Sequence, residues 1–197
     1  AQFWTWVATR QRPCLSVSIK SIPLKLQSRN IQFISGIDSA TTKNVGQYFN
    51  SKNAKSAVVM QTPMAIDTWT ALGWRDDTTI GNKEYDIGST ITPVSITKYY
   101  AVYSRDITLK YDPNGGTGTI ADQTTQQLYN TNGGLSVPTF KLKANTFTRT
   151  NYVFSKWADE TTNSVQYAPG DTYNNFVPTV ANPTTIRKIY AVWKEEE

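Results

Sequence analysis

Hydrophobic and polar residues alternate along several short stretches of the chain, which predicts β-strands. In residues 107–111, Ile107, Leu109 and Tyr111 fall on one face of a strand, and the polar residues between them fall on the other. Further strands are predicted at residues 30–34, 57–60, 152–157 and 189–193. Because the pattern recurs in so many short segments, the sequence favours a β-rich fold.

Two segments allow a helix. Val45, Tyr48 and Phe49 recur at helical spacing, so residues 45–53 are the best helix candidate, although the glycine among them disfavours it. Residues 120–129 are rich in Gln and Thr and fit either a short helix or a polar strand. The predicted fold class is therefore a β-dominated α+β fold.

One series of motifs occurs twice in the chain. The first copy has Trp-Arg-Asp at 74–76, a turn motif at 85–90 and Tyr-Ala-Val-Tyr at 100–103, and the second has Trp-Ala-Asp at 157–159, a similar turn motif at 167–172 and Tyr-Ala-Val-Trp at 190–193. The spacing from Gly to Tyr is 12 residues in the first copy and 20 in the second. The second copy thus carries an insertion, predicted at residues 174–185 and expected to lie in a loop.

The repeat divides the chain into three parts. Residues 1–29 are an extended, basic and aromatic N-terminal segment, residues 30–105 a diverged first repeat domain, and residues 106–197 a second repeat domain. No Gly/Ser-rich linker separates the two repeat domains. They are therefore expected to stack end to end with restricted hinge motion.

The repeated residues are given structural roles. Trp74 and Trp157 are expected to fill the cores of their domains, each burying roughly 150–250 Å². The alternative is that these rings stack on sugars. Tyr100 and Tyr190 are expected to pack beside them from the closing strands. Turns between strands are predicted at Gly88 and Gly170.

Basic charge is concentrated at the N-terminus. The chain has a formal charge of +5, and residues 1–37 contain Arg10, Arg12, Lys20, Lys25 and Arg29 but no acid, whereas the remaining residues are balanced. This segment either contacts an anionic partner, such as a cell-wall polymer, an acidic protein or nucleic acid, or forms a solvated strand face. The lack of a nucleic-acid-binding motif disfavours nucleic acid. The apolar residues of 1–29 must pack on the first domain, on a neighbouring chain or on another domain.

No catalytic, cofactor-binding or metal-binding residues are predicted. The chain contains no histidine and one cysteine, Cys14, which excludes His-based triads and an intrachain disulfide. The acid pairs Asp76-Asp77 and Asp159-Glu160 provide too few oxygens for calcium and are interpreted as solvated turns. No apolar run approaches the roughly 20 residues of a transmembrane helix. No cofactor is expected, and the protein is not expected to be an enzyme.

The second copy resembles a known family. Residues 107–118, 145–157, 167–171 and 189–194 are similar in order and chemistry to the Listeria–Bacteroides repeat, of the internalin B-repeat type. The similarity covers residues 106–194, and the first copy shares it only from residue 72 onward. The resemblance implies a small β-grasp-like fold with a short helix or loop across the sheet. It also implies tandem modules that act as stalks, spacers or adhesive modules in bacterial surface and phage-associated proteins.

The expected function is a non-enzymatic, surface-exposed structural or adhesive repeat protein that acts as a stalk or binding module. One alternative is a phage virion decoration, head-fibre or tail component that is anchored through residues 1–29. A second is a carbohydrate-binding module. Protein partners are expected through the N-terminal segment, with an anionic cell-wall polymer or glycan as a further candidate. The expected location is extracellular or on the cell surface, or alternatively on the virion surface.

Overall fold

The computed structural model describes residues 27–50, 52–159 and 165–197. Within them the fold is β-dominated and contains no α-helix, only a 3-10 turn at Ile37–Ser39. No helix of the described residues is long and apolar enough to cross a membrane. The expectations for residues 1–26, including the environment of Cys14 and the contacts of the basic N-terminal segment, lie outside the described part of the chain.

Thirteen strands make up the described fold. In chain order they are β1 (Gln27–Ser35), β2 (Thr41–Phe49), β3 (Val58–Val59), β4 (Thr70–Arg75), β5 (Thr90–Ile91), β6 (Lys98–Asp112), β7 (Gln123–Asn130), β8 (Gly134–Leu135), β9 (Phe140–Lys141), β10 (Tyr152–Ala158), β11 (Gln166–Tyr167), β12 (Thr172–Tyr173) and β13 (Ile186–Glu195). Nine of them form one sheet, while β3–β5 and β9–β12 form two small ladders. The strands predicted at residues 30–34, 107–111, 152–157 and 189–193 are confirmed, and the segment 57–60 contains the two-residue strand β3.

The helix predicted at residues 45–53 is wrong. Strand β2 covers this region up to Phe49 and pairs with β1 residue by residue, from Gln27 opposite Phe49 to Ser35 opposite Thr41. The backbone bonds of the hairpin outweigh a weak helical pattern that contains a glycine. Residues 120–129 have the polar-strand conformation, because β7 pairs antiparallel with β6. The α component of the predicted fold class is thus absent from the described residues.

Strand β6 is the centre of the main sheet. It is 15 residues long and passes without a break through the predicted domain boundary at residues 105 and 106. It pairs in parallel with β1 near its start and with β13 near its end, and antiparallel with β4 and β7. Alternate side chains from one face enter two separate cores, namely Tyr99, Ala101 and Tyr103 in the first, and Ile107, Leu109 and Tyr111 in the second. We call residues 27–104 the first half and residues 105–197 the second half.

Each core is built around one tryptophan. Trp74 is 1% exposed, meets the Phe33 ring edge-on at 5.0 Å, and donates its indole N–H to the carbonyl oxygen of Gln61 at 2.7 Å. Trp157 is fully buried, meets Tyr111 edge-on at 4.9 Å, and donates to the carbonyl oxygen of Lys143 at 2.9 Å. The predicted core role of both tryptophans is confirmed. Rings enclosed in this way are not available for stacking on sugars.

The prediction that Tyr100 and Tyr190 pack beside the tryptophans is wrong by one position. Tyr100 and Tyr190 are only half-buried and belong to neither core. Their neighbours Tyr99 and Ile189 are buried instead, because successive side chains of a strand point to opposite faces. The predicted turns at Gly88 and Gly170 are confirmed, with φ values of 77° and 86° that favour glycine.

Candidate functional site at the junction of the two halves

Arg105 lies where the two cores meet along β6. Its side chain is 5% exposed and makes hydrogen bonds with four acceptors. These are Gln127 Oε1 at 2.9 Å and the main-chain oxygens of Pro178 at 2.8 Å, Thr179 at 2.9 Å and Asn182 at 2.6 Å. These four hydrogen bonds satisfy nearly all of the guanidinium N–H donors. The charged group is therefore accommodated at a position that water barely reaches. Burial lowers the pKa of Arg105 from its ordinary value, but an arginine remains charged at neutral pH.

An aromatic ring from the first half covers this guanidinium. The Arg105 Cζ lies 4.2 Å from the centre of the Trp69 ring, a distance that permits a cation–π interaction. The indole N–H of Trp69 donates to the carbonyl oxygen of Val180 at 3.0 Å. Trp69 therefore contacts both the arginine and the loop to which that arginine binds, and it connects the two halves through side chain and backbone.

The insertion predicted in the second copy is part of this junction. Residues 174–185 lie between β12 and β13 without a strand, so the prediction of a loop is confirmed. Most of its side chains are exposed, but the loop also packs back onto the protein. Val180 packs against the first core, and the main-chain oxygens of Pro178, Thr179 and Asn182 bind Arg105 of the second half. Part of the second repeat thus completes the packing of the first.

A turn of the second half makes a further contact with the first half. The side-chain amide of Asn130 donates to the carbonyl oxygens of Asp77 at 3.2 Å and Thr79 at 3.0 Å in the first half. Gly133, in the same turn, approaches this loop so closely that a Cβ built there would lie 1.8 Å from the Thr78 oxygen. Residues 131–133 form this turn, and the close approach explains why a glycine occupies position 133.

The arginine and glutamine of the junction have counterparts in the first half. Arg29 Nε donates to Gln47 Oε1 at 2.8 Å, as Arg105 does to Gln127, and Arg29 Nη2 donates to the Pro93 oxygen at 2.9 Å, as Arg105 does to Pro178. Gln47 and Gln127 are both fully buried and both donate to the same proline oxygen as their arginine. Sequence analysis missed these residues because Arg and Gln are 18 residues apart in the first half and 22 in the second, which hides the correspondence.

The acidic residues that follow the two tryptophans are not simply solvated. Arg75 binds Asp77 through two hydrogen bonds of 2.7 and 3.1 Å and also pairs with Glu84 at 2.6 Å. This hydrogen bonding holds the pKa of the Asp77 carboxyl well below its usual range. Asp76, Asp77 and Glu84 lie close enough to share a cation, but the guanidinium of Arg75 already forms ion pairs with two of them.

In the second half, Asp159 takes the place of Asp76. It accepts hydrogen bonds from Tyr173 at 2.6 Å and from Arg187 at 2.7 Å, and Asp76 accepts one from Tyr85 at 2.9 Å. Glu160, the second member of that predicted pair, lies outside the described residues. These carboxylates therefore fix tyrosine and arginine side chains at the edge of each core. The solvated-turn interpretation is corrected for Asp76, Asp77 and Asp159.

Comparison with known proteins gave no relative. No protein-family model matches the chain, and neither a curated protein nor a solved structure matches it significantly.

Proposed function

We propose that this chain is a non-enzymatic structural or adhesive repeat protein, a rigid stalk or binding module that acts outside the cell or on a cell surface. The observation that carries the proposal is the junction, where Trp69 of the first half contacts both Arg105 and the insertion of the second half. A spacer must hold its modules in a fixed direction, and buried hydrogen bonds between neighbouring modules supply that rigidity.

Two β-grasp-like modules, as in the Listeria–Bacteroides repeat, are the architecture that we propose. In the first half the strands lie in the order β2-β1-β6-β4, and in the second β7-β6-β13-β10, so in each the first and last strands are parallel neighbours. The tryptophan strands share a bulge, between Ala71 and Gly73 in β4 and between Phe154 and Lys156 in β10. Loops pass over the sheet where the resemblance allows a helix or a loop.

A further repeated detail supports duplication. The N–H of Gly88 donates to the Met60 oxygen at 2.8 Å, and that of Gly170 donates to the Leu142 oxygen at 2.8 Å. The short strand pair of each half lies next to this bond, namely β3–β5 in the first half and β9–β12 in the second. The same backbone bond, tryptophan bond and arginine–glutamine pair thus recur in the same order along the chain.

Distance measurements between the halves test the proposal. Spin labels are attached to cysteines at Lys43 and Lys156, which are exposed, with Cys14 replaced by Ser. A rigid stalk predicts one narrow distance distribution, and the double variant Trp69→Ala/Arg105→Gln should broaden it. Arg29→Gln, at the equivalent site away from the junction, is the matched control and should leave the distribution narrow. A distribution that is broad in the unaltered protein contradicts a rigid spacer.

A further inference from the structure

The first half has a surface that corresponds to the docking surface of the second half. At the junction the second half contributes Arg105, the turn that begins at Asn130, and the loop at Pro178 and Thr179. The counterparts in the first half are Arg29, the turn that begins at Asn50, and the loop at Pro93 and Ser95. We call Gln27–Asn30, residues 48–56 and residues 93–96 the N-terminal face.

The turns of the two surfaces share two internal hydrogen bonds. Asn50 Oδ1 accepts from the N–H of Lys52 and of Ala54, and the N–H of Asn53 donates to the Asn50 oxygen at 3.0 Å. In the second half, Asn130 Oδ1 accepts from the N–H of Asn132, and the N–H of Gly133 donates to the Asn130 oxygen at 3.0 Å. The turn at Asn130 is covered by the first half, whereas the turn at Asn50 is exposed to solvent in the described structure.

Apolar side chains are exposed around Arg29. Val94 is 71% exposed and Tyr48 is 51% exposed, and a hollow of about 310 Å³ lies between Tyr48, Phe49 and the Ala54–Ser56 segment. Among the described residues, Arg29 has the Phe49 ring of the same half at 5.8 Å, whereas Arg105 has the Trp69 ring of the other half at 4.2 Å. The N-terminal face therefore has the arginine and the apolar rim of the junction, without the aromatic ring that the preceding part of the chain provides there.

The sheet edge shows the same difference. Strand β1 pairs with β2 along its whole length, but with β6 only at Gln32, Phe33 and Ile34. In β6 the corresponding edge before Arg105 is paired with β4, from Tyr100 to Ser104. Among the described residues no strand pairs with the edge of Gln27–Ile31 opposite β2.

We propose that the N-terminal face is the docking surface for this chain's own upstream residues 1–26, which supply an indole against Arg29 as Trp69 does against Arg105. At the junction, the docking surface of the second half is covered by the first half, which precedes it in the chain. Residues 1–26 precede the N-terminal face in the same way. They join at Gln27, which is paired with Phe49 on the rim of the hollow. They contain Phe3, Trp4 and Trp6, and the 20 residues between Trp6 and Gln27 can span far more than the width of the face. This inference does not depend on the proposed stalk function.

Hydrogen exchange of the full chain tests this docking from both sides. One variant, Trp4→Ala/Trp6→Ala, removes the indoles, and the other, Val94→Asp, puts a charge into the apolar rim. Each should accelerate amide exchange in residues 48–56 by roughly tenfold, because docked segments protect the backbone that they cover. Exchange in β13 should stay unchanged. Val137→Asp, at an exposed valine of the second half, is the matched control and should not affect residues 48–56.

Two results would overturn the inference. If both variants leave exchange in residues 48–56 unchanged, residues 1–26 do not cover the face. If protection of this region increases with protein concentration, together with a larger sedimentation coefficient, the occupant is a second copy of the chain. Either result leaves the distance test of the stalk unaffected, because that test concerns the contact between the halves.

Discussion

The indole N–H of Trp69 donates to the carbonyl oxygen of Val180, a residue 111 positions further along the chain, at 3.0 Å. This bond connects the residue directly before β4, the strand that contains Trp74, with the loop at residues 174–185 of the second half. The first core is therefore complete only when the second half has folded far enough to deliver this loop. The two halves are expected to unfold as one cooperative unit.

Replacing Arg105 tests how much the junction contributes to stability. Arg105→Gln removes the donors to three main-chain oxygens and the cation above the Trp69 ring. The free energy of unfolding should fall by about 3 kcal/mol, because buried acceptors are left without partners. Urea denaturation followed by tryptophan fluorescence measures the change.

Arg29→Gln is the comparison for that experiment. Arg29 has the same glutamine and proline partners but is only partly buried. Its replacement should cost clearly less, about 1 kcal/mol. Equal losses in the two variants would contradict a special role for the junction.

Truncation of the second core tryptophan should be severe. Trp157→Ala removes a fully buried indole and its hydrogen bond to the Lys143 oxygen. A loss of about 4 kcal/mol is expected, because the surrounding rings cannot close the cavity. Thermal unfolding by calorimetry measures it. Val137→Ala, at an exposed valine of the second half, should change the midpoint little, and an unchanged midpoint for Trp157→Ala would disprove its core role.

Alanine substitutions at two glycines distinguish the cost of a steric clash from the cost of a left-handed backbone conformation. Gly133→Ala places a Cβ against the Thr78 oxygen and should destabilise the protein by about 3 kcal/mol, because backbone must move. Gly170 has a φ of 86° but open space around it, so Gly170→Ala should cost only about 1 kcal/mol. Urea midpoints give the comparison. The reverse order would show that the contact between Gly133 and Thr78 is not retained in solution.

The protein should lose stability at alkaline pH. Burial, with a hydrogen bond to Asp76, raises the pKa of Tyr85 to about 12, and burial also raises the pKa of Tyr103, Tyr111, Tyr129 and Tyr173. In the unfolded chain these phenols ionise near pH 10, so between about pH 10 and 12 the unfolded state binds fewer protons. Stability is therefore fully present below about pH 10 and falls as the pH rises.

Denaturant midpoints measured across this range, with tyrosinate absorbance, check the alkaline prediction. Tyr85→Phe removes one ionising group and should reduce the slope of stability against pH. A slope that is the same in both proteins would show that Tyr85 ionises equally in the folded and unfolded states.

Local patterns predicted the strands but not their partners. The alternation of Ile107, Leu109 and Tyr111 identified a strand, because burial on one face leaves a period of two in the sequence. The same pattern did not show that this segment continues from Lys98 as one strand that serves both halves. In residues 45–53 the local pattern indicated a helix, and pairing with β1, which is not local, decided the conformation.

The junction could not be predicted because its residues acquire their roles only through contacts distant in the chain. In the sequence Arg105 is simply the last residue of the predicted first domain, and Trp69 belongs to no motif. The insertion was recognised from unequal spacing, but nothing local to residues 174–185 indicates that Val180 reaches the first core. The tryptophans at 74 and 157 were predictable, since large aromatic residues in a strand are most stable when enclosed.

The arrangement of β1, β6 and β13 has a mechanical consequence. Both flanking strands run parallel to β6, so tension applied to the two ends of residues 27–197 pulls β1 against β6 and β6 against β13 along their lengths. The backbone bonds of each pair are then loaded in shear, and they must break together instead of opening one by one from an end. Because β6 is continuous, the force passes from one parallel pair to the other through a single extended strand.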